Sequence, residues 1–200
     1  MKIAAALATL LLSCLLAPQA AIADGDVDAG KTLSYTCLGC HGIDGYRNAY
    51  PSYRVPKLGG QKAAYIVTAL QGYRDGQREH PTMQAQAVTM TDQQMQDIAA
   101  YLATLNSDTV ESGGSEGVSF DAAATCVACH GQNGISVSPV WPTLAGQHEE
   151  YLLHSLNAYR NGTRKNAVMA QMAVGLTDAD VEKLARYYSR LKGLETTLPE

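Results

Sequence analysis

The chain has 200 residues, of which 17% are charged, and a formal net charge of −4 with a pI near 5.7. That balance excludes the basic footprint of a nucleic-acid binder. Four of the five cysteines fall into two identical patterns, and the fifth, Cys14, lies in the leader, so no thiol remains for a structural disulfide.

Residues 1–23 read as a secretory signal: Lys2 supplies the positive end, residues 3–16 the apolar stretch, and Ala21-Ile22-Ala23 a small-residue cleavage site before Asp24. The apolar stretch is too short to span a bilayer comfortably. Export to the periplasm is therefore expected. A competing reading is lipoprotein processing at Leu11-Leu12-Ser13-Cys14, which would anchor the protein through Cys14.

The organising stretch comes next. Thr36-Cys37-Leu38-Gly39-Cys40-His41 occurs again as Thr125-Cys126-Val127-Ala128-Cys129-His130. On a helix, the two cysteines of each copy share one face with the histidine that follows. Two thiols so placed bond the two vinyl groups on one porphyrin edge, and the imidazole comes under the iron. Cys-x-x-Cys-His is the attachment signature of c-type haem. A zinc site does not require a histidine directly after each second cysteine, and the surroundings lack the βαβ pattern of a thiol–disulfide motif. Two covalently bound haem c groups are expected, at Cys37 and Cys40 and at Cys126 and Cys129, with His41 and His130 as iron ligands.

An internal repeat runs through the rest of the chain. Pro56-Lys57-Leu58-Gly59-Gly60-Gln61 matches Pro142-Thr143-Leu144-Ala145-Gly146-Gln147, and Tyr65, Tyr73, Arg74, Gly76 and Tyr101 match Tyr151, Tyr159, Arg160, Gly162 and Tyr187, all at an offset of 86. The cysteine motifs are offset by 89, so the first copy carries three extra residues between His41 and Pro56. A shared offset over such a length means a duplicated domain. Residues 24–107 and 119–200 are the two expected domains, joined by a Gly/Ser-rich linker at 108–118. Residues 24–107 hold eight acids and seven bases, and 118–200 hold the same numbers, so neither domain has a dominant charge.

Each copy reads as all-α. Ile66, Ala69, Leu70 and Tyr73 make one helix face, echoed by Leu152, Ser155, Leu156 and Tyr159. Gly76 and Gly162 then stop the helix. Final helices start at Thr91 with Gln94 and at Thr177 with Asp180, as capping boxes do. Their inner faces are Met95, Ile98, Ala99, Leu102 and Val181, Leu184, Ala185, Tyr188. No period-2 strand appears.

A closed electron-transfer haem needs a second axial ligand, and His/Met ligation raises the potential. Met83 and Met169 are the one methionine position filled in both copies, and both are expected in the loop before the final helix. Met90 and Met95 match Leu176 and Val181 in the second copy and read as core. His80 competes by proximity, although Asn166 stands at its place in the second copy. The other non-motif histidines, His148 and His154, read as solvated. Pro56 and Pro142 offer carbonyls for the ring N–H of the iron-bound histidines. Arg74 and Arg160 are candidates for the haem propionates, with an exposed helix cation as the other reading.

These motifs together resemble the cytochrome c4 family over residues 24–191. The resemblance implies two class I cytochrome c domains with His/Met haems facing one another across the domain interface, propionates in contact. It implies a periplasmic carrier, not an enzyme, that takes electrons from a quinol-oxidising complex to a terminal oxidase. Its partners would be redox proteins, with transient or peripheral membrane association. No catalytic residue is assigned. A haem subunit of a periplasmic dehydrogenase, such as a sulfide-oxidising flavocytochrome, would look much the same. A dihaem peroxidase would need an open iron site beside acid–base groups. In the family the first helix carries a glycine where it crosses the last; Gly30 fits, while Ser119 stands at the matching place of the second copy.

Overall fold

The computed structural model describes residues 25–105, 110 and 121–196. The expected signal segment with Cys14, nearly all of the expected linker, and Ser119 lie outside the described residues.

Among the described residues, nine helices and no strand form two copies of one arrangement. The first copy holds α1 (Val27–Leu33), α2 (Tyr35–His41), α3 (Ala63–Arg74), α4 (Pro81–Ala87) and α5 (Asp92–Thr104). The second holds α6 (Asp121–His130), α7 (Glu149–Arg160), α8 (Ala167–Ala173) and α9 (Asp178–Arg190). Both capping boxes form, with the Thr91 and Thr177 hydroxyls accepting from the N3 backbone and the Gln94 and Asp180 side chains reaching back. Gly76 and Gly162 take left-handed φ of 69° and 80° one residue beyond the C-caps, the conformation that ends a helix and that a Cβ disfavours.

Burial follows the periodicity. Ile66 and Leu70 of α3 pack with Met95, Ile98, Ala99 and Leu102 of α5. Leu152 of α7 packs with Leu184, Ala185 and Tyr188 of α9. Met95 is fully enclosed, as its core reading requires. Helix α1 crosses α5 at Gly30, where an added Cβ would lie 1.9 Å from the Asp97 carbonyl oxygen. The Asp97 carboxylate secures this crossing by accepting from the Asp26 N–H at 2.8 Å.

Candidate functional site

Each Cys-x-x-Cys-His stretch occupies the last turns of a helix, α2 or α6, so the spacing acts as helical spacing. All four cysteines are part-covered, and none is paired with another in a disulfide. His41 and His130 are buried. Each ring Nδ1 donates to a proline carbonyl, His41 to Pro56 at 2.7 Å and His130 to Pro142 at 2.8 Å. That bond sets the tautomer and turns the Nε2 lone pair to the opposite side. Burial also lowers both imidazole pKa values, favouring the neutral form that can ligate a metal.

The rest of the Pro-x-Leu-x-Gly-Gln motif has its own tasks. Leu58 and Leu144 pack into the two cores. Gly60 and Gly146 turn left-handed at φ of 77° and 76°, and their N–H groups donate to Leu102 and Tyr188 in the final helices. This turn sends the following glutamine across to the other domain. The Gln61 amide donates to the Thr143 carbonyl at 3.0 Å and accepts from the Thr143 N–H at 2.9 Å. Gln147 does the same to Lys57, at 3.0 and 2.9 Å. Thr143 is the repeat equivalent of Lys57, so the two clamps are related by a pseudo-twofold axis. The same short segment thus holds the histidine of its own domain and joins the two domains.

The longer loop of the first copy breaks that symmetry. Arg47 pairs with Glu150 at 2.8 Å, and the Arg54 N–H donates to the same carboxylate at 3.0 Å. Tyr53, almost fully covered, stacks on His154 with ring centroids 4.4 Å apart. His154 and His148 are therefore half-buried interface groups, which corrects the solvated reading; the repeat that leaves them unmatched carries no sign of the interface. Burial and the nearby Lys57 and Arg54 cations bring His148 down to about 4.

Met83 and Met169 lie in the first turns of the short helices α4 and α8, not in a loop. The N-caps explain the difference. His80 Nδ1 accepts from the Met83 N–H at 3.3 Å, and Asn166 Oδ1 accepts from the Met169 N–H at 3.0 Å. Pro81 sits at the first helical position, where its missing donor costs nothing. His80 is thus occupied as a cap, the task Asn166 performs in the second copy. Met83, like Cys37 and Leu38, is a partly buried side chain packed against the first core.

Arg74 and Arg160 are engaged elsewhere. Arg74 bonds Asp92 at 2.7 Å and Arg160 bonds Asp178 at 2.5 Å, tying α3 to α5 and α7 to α9 at the surface. Both are half-covered and ion-paired within their own domain, so neither is simply an exposed helix cation. Sequence reasoning passed over Arg78 and Arg164, four residues further on and also 86 apart. Arg164 is buried. It donates to Ser155 Oγ at 2.8 Å and, across the junction, to the Tyr65 hydroxyl at 3.0 Å. Its guanidinium lies over Tyr159, as that of Arg78 lies over Tyr65 and Tyr73.

Two all-α domains, each presenting a helical Cys-x-x-Cys-His whose histidine is steered by a proline carbonyl, define a dihaem c-type cytochrome. The family model described as Cytochrome c matches residues 27–106 and 116–192. The chain belongs to the cytochrome c family, within its dihaem cytochrome c4 group, and carries two covalently bound haem c groups. A thiosulfate dehydrogenase electron acceptor from Stutzerimonas stutzeri is 34% identical over 96% of this chain and 95% of its own length. Cytochrome c4 of Pseudomonas aeruginosa is 30% identical over 84% of this chain and 90% of its own. The crystal structure of reduced cytochrome c4 from Pseudomonas stutzeri superposes with a TM-score of 0.64 at 29% identity, covering 86% of this chain and all of that one. Among the described residues no helix is long and apolar enough to cross a membrane.

Proposed function

We propose that this electron carrier works in the periplasm, between a quinol-oxidising complex and a terminal oxidase, as an exported protein cleaved before Asp24. The domains are taken as 24–107 and 119–200, with a tethering linker at 108–118. Cys37 and Cys40 hold one haem and Cys126 and Cys129 the other. His41 with Met83, and His130 with Met169, would ligate the two irons. When bound, each haem supplies a reversible one-electron couple. The residues' part is to hold the histidine ring nitrogen in one tautomer, to offer a methionine sulfur as second ligand and to keep the two sites in one clamped unit. The observation that carries this reading is the reciprocal Gln61 and Gln147 clamp, which ties both histidine-bearing segments together. A site closed by methionine leaves no open iron for peroxide, so the protein is a carrier and not a catalyst.

Docking is transient and weakly steered. Each domain is close to neutral, and the stretch from His130 to Pro142 carries no charged residue apart from His130 itself while leaving Val137, Val140 and Trp141 exposed. Reduction rates should therefore depend weakly on salt. A second reading is favoured by the relative named as a thiosulfate dehydrogenase electron acceptor. It makes the donor a periplasmic dehydrogenase. Steady-state reduction by a quinol-oxidising complex and by a thiosulfate dehydrogenase, each over a salt series, separates the two. Reduction by neither overturns both donor assignments.

A further inference from the structure

A polar cleft of about 330 Å³ lies where the longer loop of the first copy meets the start of α7. Arg54 and Lys57 line it from the first copy, and His148 from the second. Among the described residues neither cation belongs to an ion pair. Lys57 is half-buried, and its ammonium donates to the Leu194 carbonyl at 3.3 Å. Burial weakens its hold on the proton, and Glu195 and Asp44 only partly offset this. Two neighbouring carboxylates are committed elsewhere: Glu149 pairs with Arg186, and Glu150 with Arg47. Asp44 remains at the cleft and Glu195 beside Lys57.

The His148 imidazole caps no helix N–H. It faces Lys57, Arg54, Asp44 and Glu150, and after burial the two cations act on it more strongly than the two carboxylates. The field at the ring is therefore positive. These charges are not a by-product of the duplication. Thr143 stands where Lys57 does, and Val140 precedes Pro142 as Arg54 precedes Pro56; only Lys62, in place of His148, is charged.

We infer that this cleft binds one small divalent oxyanion, of the sulfate and phosphate class, between Arg54, Lys57 and His148, and that the bound anion ties the first-copy loop to α7. A guanidinium fork and an ammonium both suit such oxygens. The volume is at the lower end of ligand pockets, which fits an ion with its water. A bound anion favours the imidazolium form of His148, so binding takes up a proton and tightens as pH falls.

The test is calorimetric titration of the dihaem protein with sodium sulfate at pH 5 and pH 7, with ionic strength held constant by chloride, and melting temperatures read on the same samples. Sulfate stays divalent over that range, so any pH response belongs to the protein. One saturable site is expected, about fivefold tighter at pH 5, with a saturable rise in melting temperature. Arg54→Gln and Lys57→Gln should each weaken it about tenfold. Asp44→Asn should tighten it about threefold. His148→Gln should keep the site and lose its pH response. No saturable binding to the wild type, by heat or by melting temperature, overturns the proposal and leaves the dihaem reading standing. Unchanged affinity in Arg54→Gln puts sulfate elsewhere and overturns it equally, even if Lys57→Gln fails to accumulate. A full pH response in His148→Gln overturns the part given to that residue.

Discussion

Gln61 and Thr143 exchange two hydrogen bonds across the domain junction, and Gln147 and Lys57 repeat the exchange in reverse. Gln61 and Thr143 are both buried, so neither finds water when its partner is removed. Replacing Gln61 with Ala strands a backbone N–H and a carbonyl. The expected cost is about 2 to 4 kcal/mol, and Gln147→Ala should cost a similar amount. The double variant should cost less than the sum, because the second loss falls on an interface already loosened. Denaturant unfolding followed by circular dichroism measures this. A loss below about 0.5 kcal/mol for either variant would place it with ordinary surface substitutions.

Gly30 is the crossing point of α1 and α5. A methyl group there meets backbone, the Asp97 carbonyl at 1.9 Å, and no flexible side chain can yield. Gly30→Ala should destabilise the first domain by about 3 kcal/mol or more. Thermal unfolding should show an earlier transition, with the second domain's own transition less affected. An unchanged melt would mean that the helices can separate without penalty.

His148 should make the interface sensitive to acid. Its folded pKa of about 4 lies below the ordinary value of 6.5, because burial, Lys57 and Arg54 disfavour the cation. Between these values the unfolded chain binds more protons than the folded one, so stability falls as pH drops from about 6.5 to about 4 and levels off below. On the proposed ligation His41 and His130 are held by iron and do not titrate in that way. Melting temperatures at pH 7 and pH 5 should fall less for His148→Gln than for the wild type. Equal falls would assign the acid sensitivity to other groups, such as His80 and His154, which burial also lowers.

Met83→Ala and Met169→Ala should each remove half of the Met–iron absorption at the red end of the ferric spectrum and lower one potential. His80→Asn, which restores the cap that Asn166 provides, should leave the absorption intact. If Met83→Ala changes neither haem, the ligand assignment in the first domain is wrong.

Much of this architecture was legible in the chain because its signals are local. The α3 and α5 faces, the two capping boxes and the glycine stops each depend on residues within a turn or two of one another. The proline carbonyls facing His41 and His130 were legible from the chemistry that a metal-bound imidazole needs. Helices α4 and α8 escaped because seven residues are too few for a periodic signal, although Pro81 at a first turn was a usable clue. The interface escaped for a different reason. Gln61 and Gln147 repeat, but their partners lie 82 and 90 positions away, and no local pattern marks a side chain that serves another domain. Arg78 and Arg164 repeat as well. The Tyr-Arg pairs drew attention to Arg74 and Arg160, and only the structure shows those two arginines taken by aspartates.

The central claim is that two closed haem sites on one clamped unit share electrons faster than partners deliver them. Stopped-flow reduction of the ferric protein by less than one equivalent of a one-electron donor tests it most directly, with both haems followed at wavelengths that distinguish them. The account predicts that the haems reach their equilibrium distribution within the donor-limited phase, with no slower redistribution. Two independent phases, each scaling with donor concentration and followed by slow exchange, would contradict it.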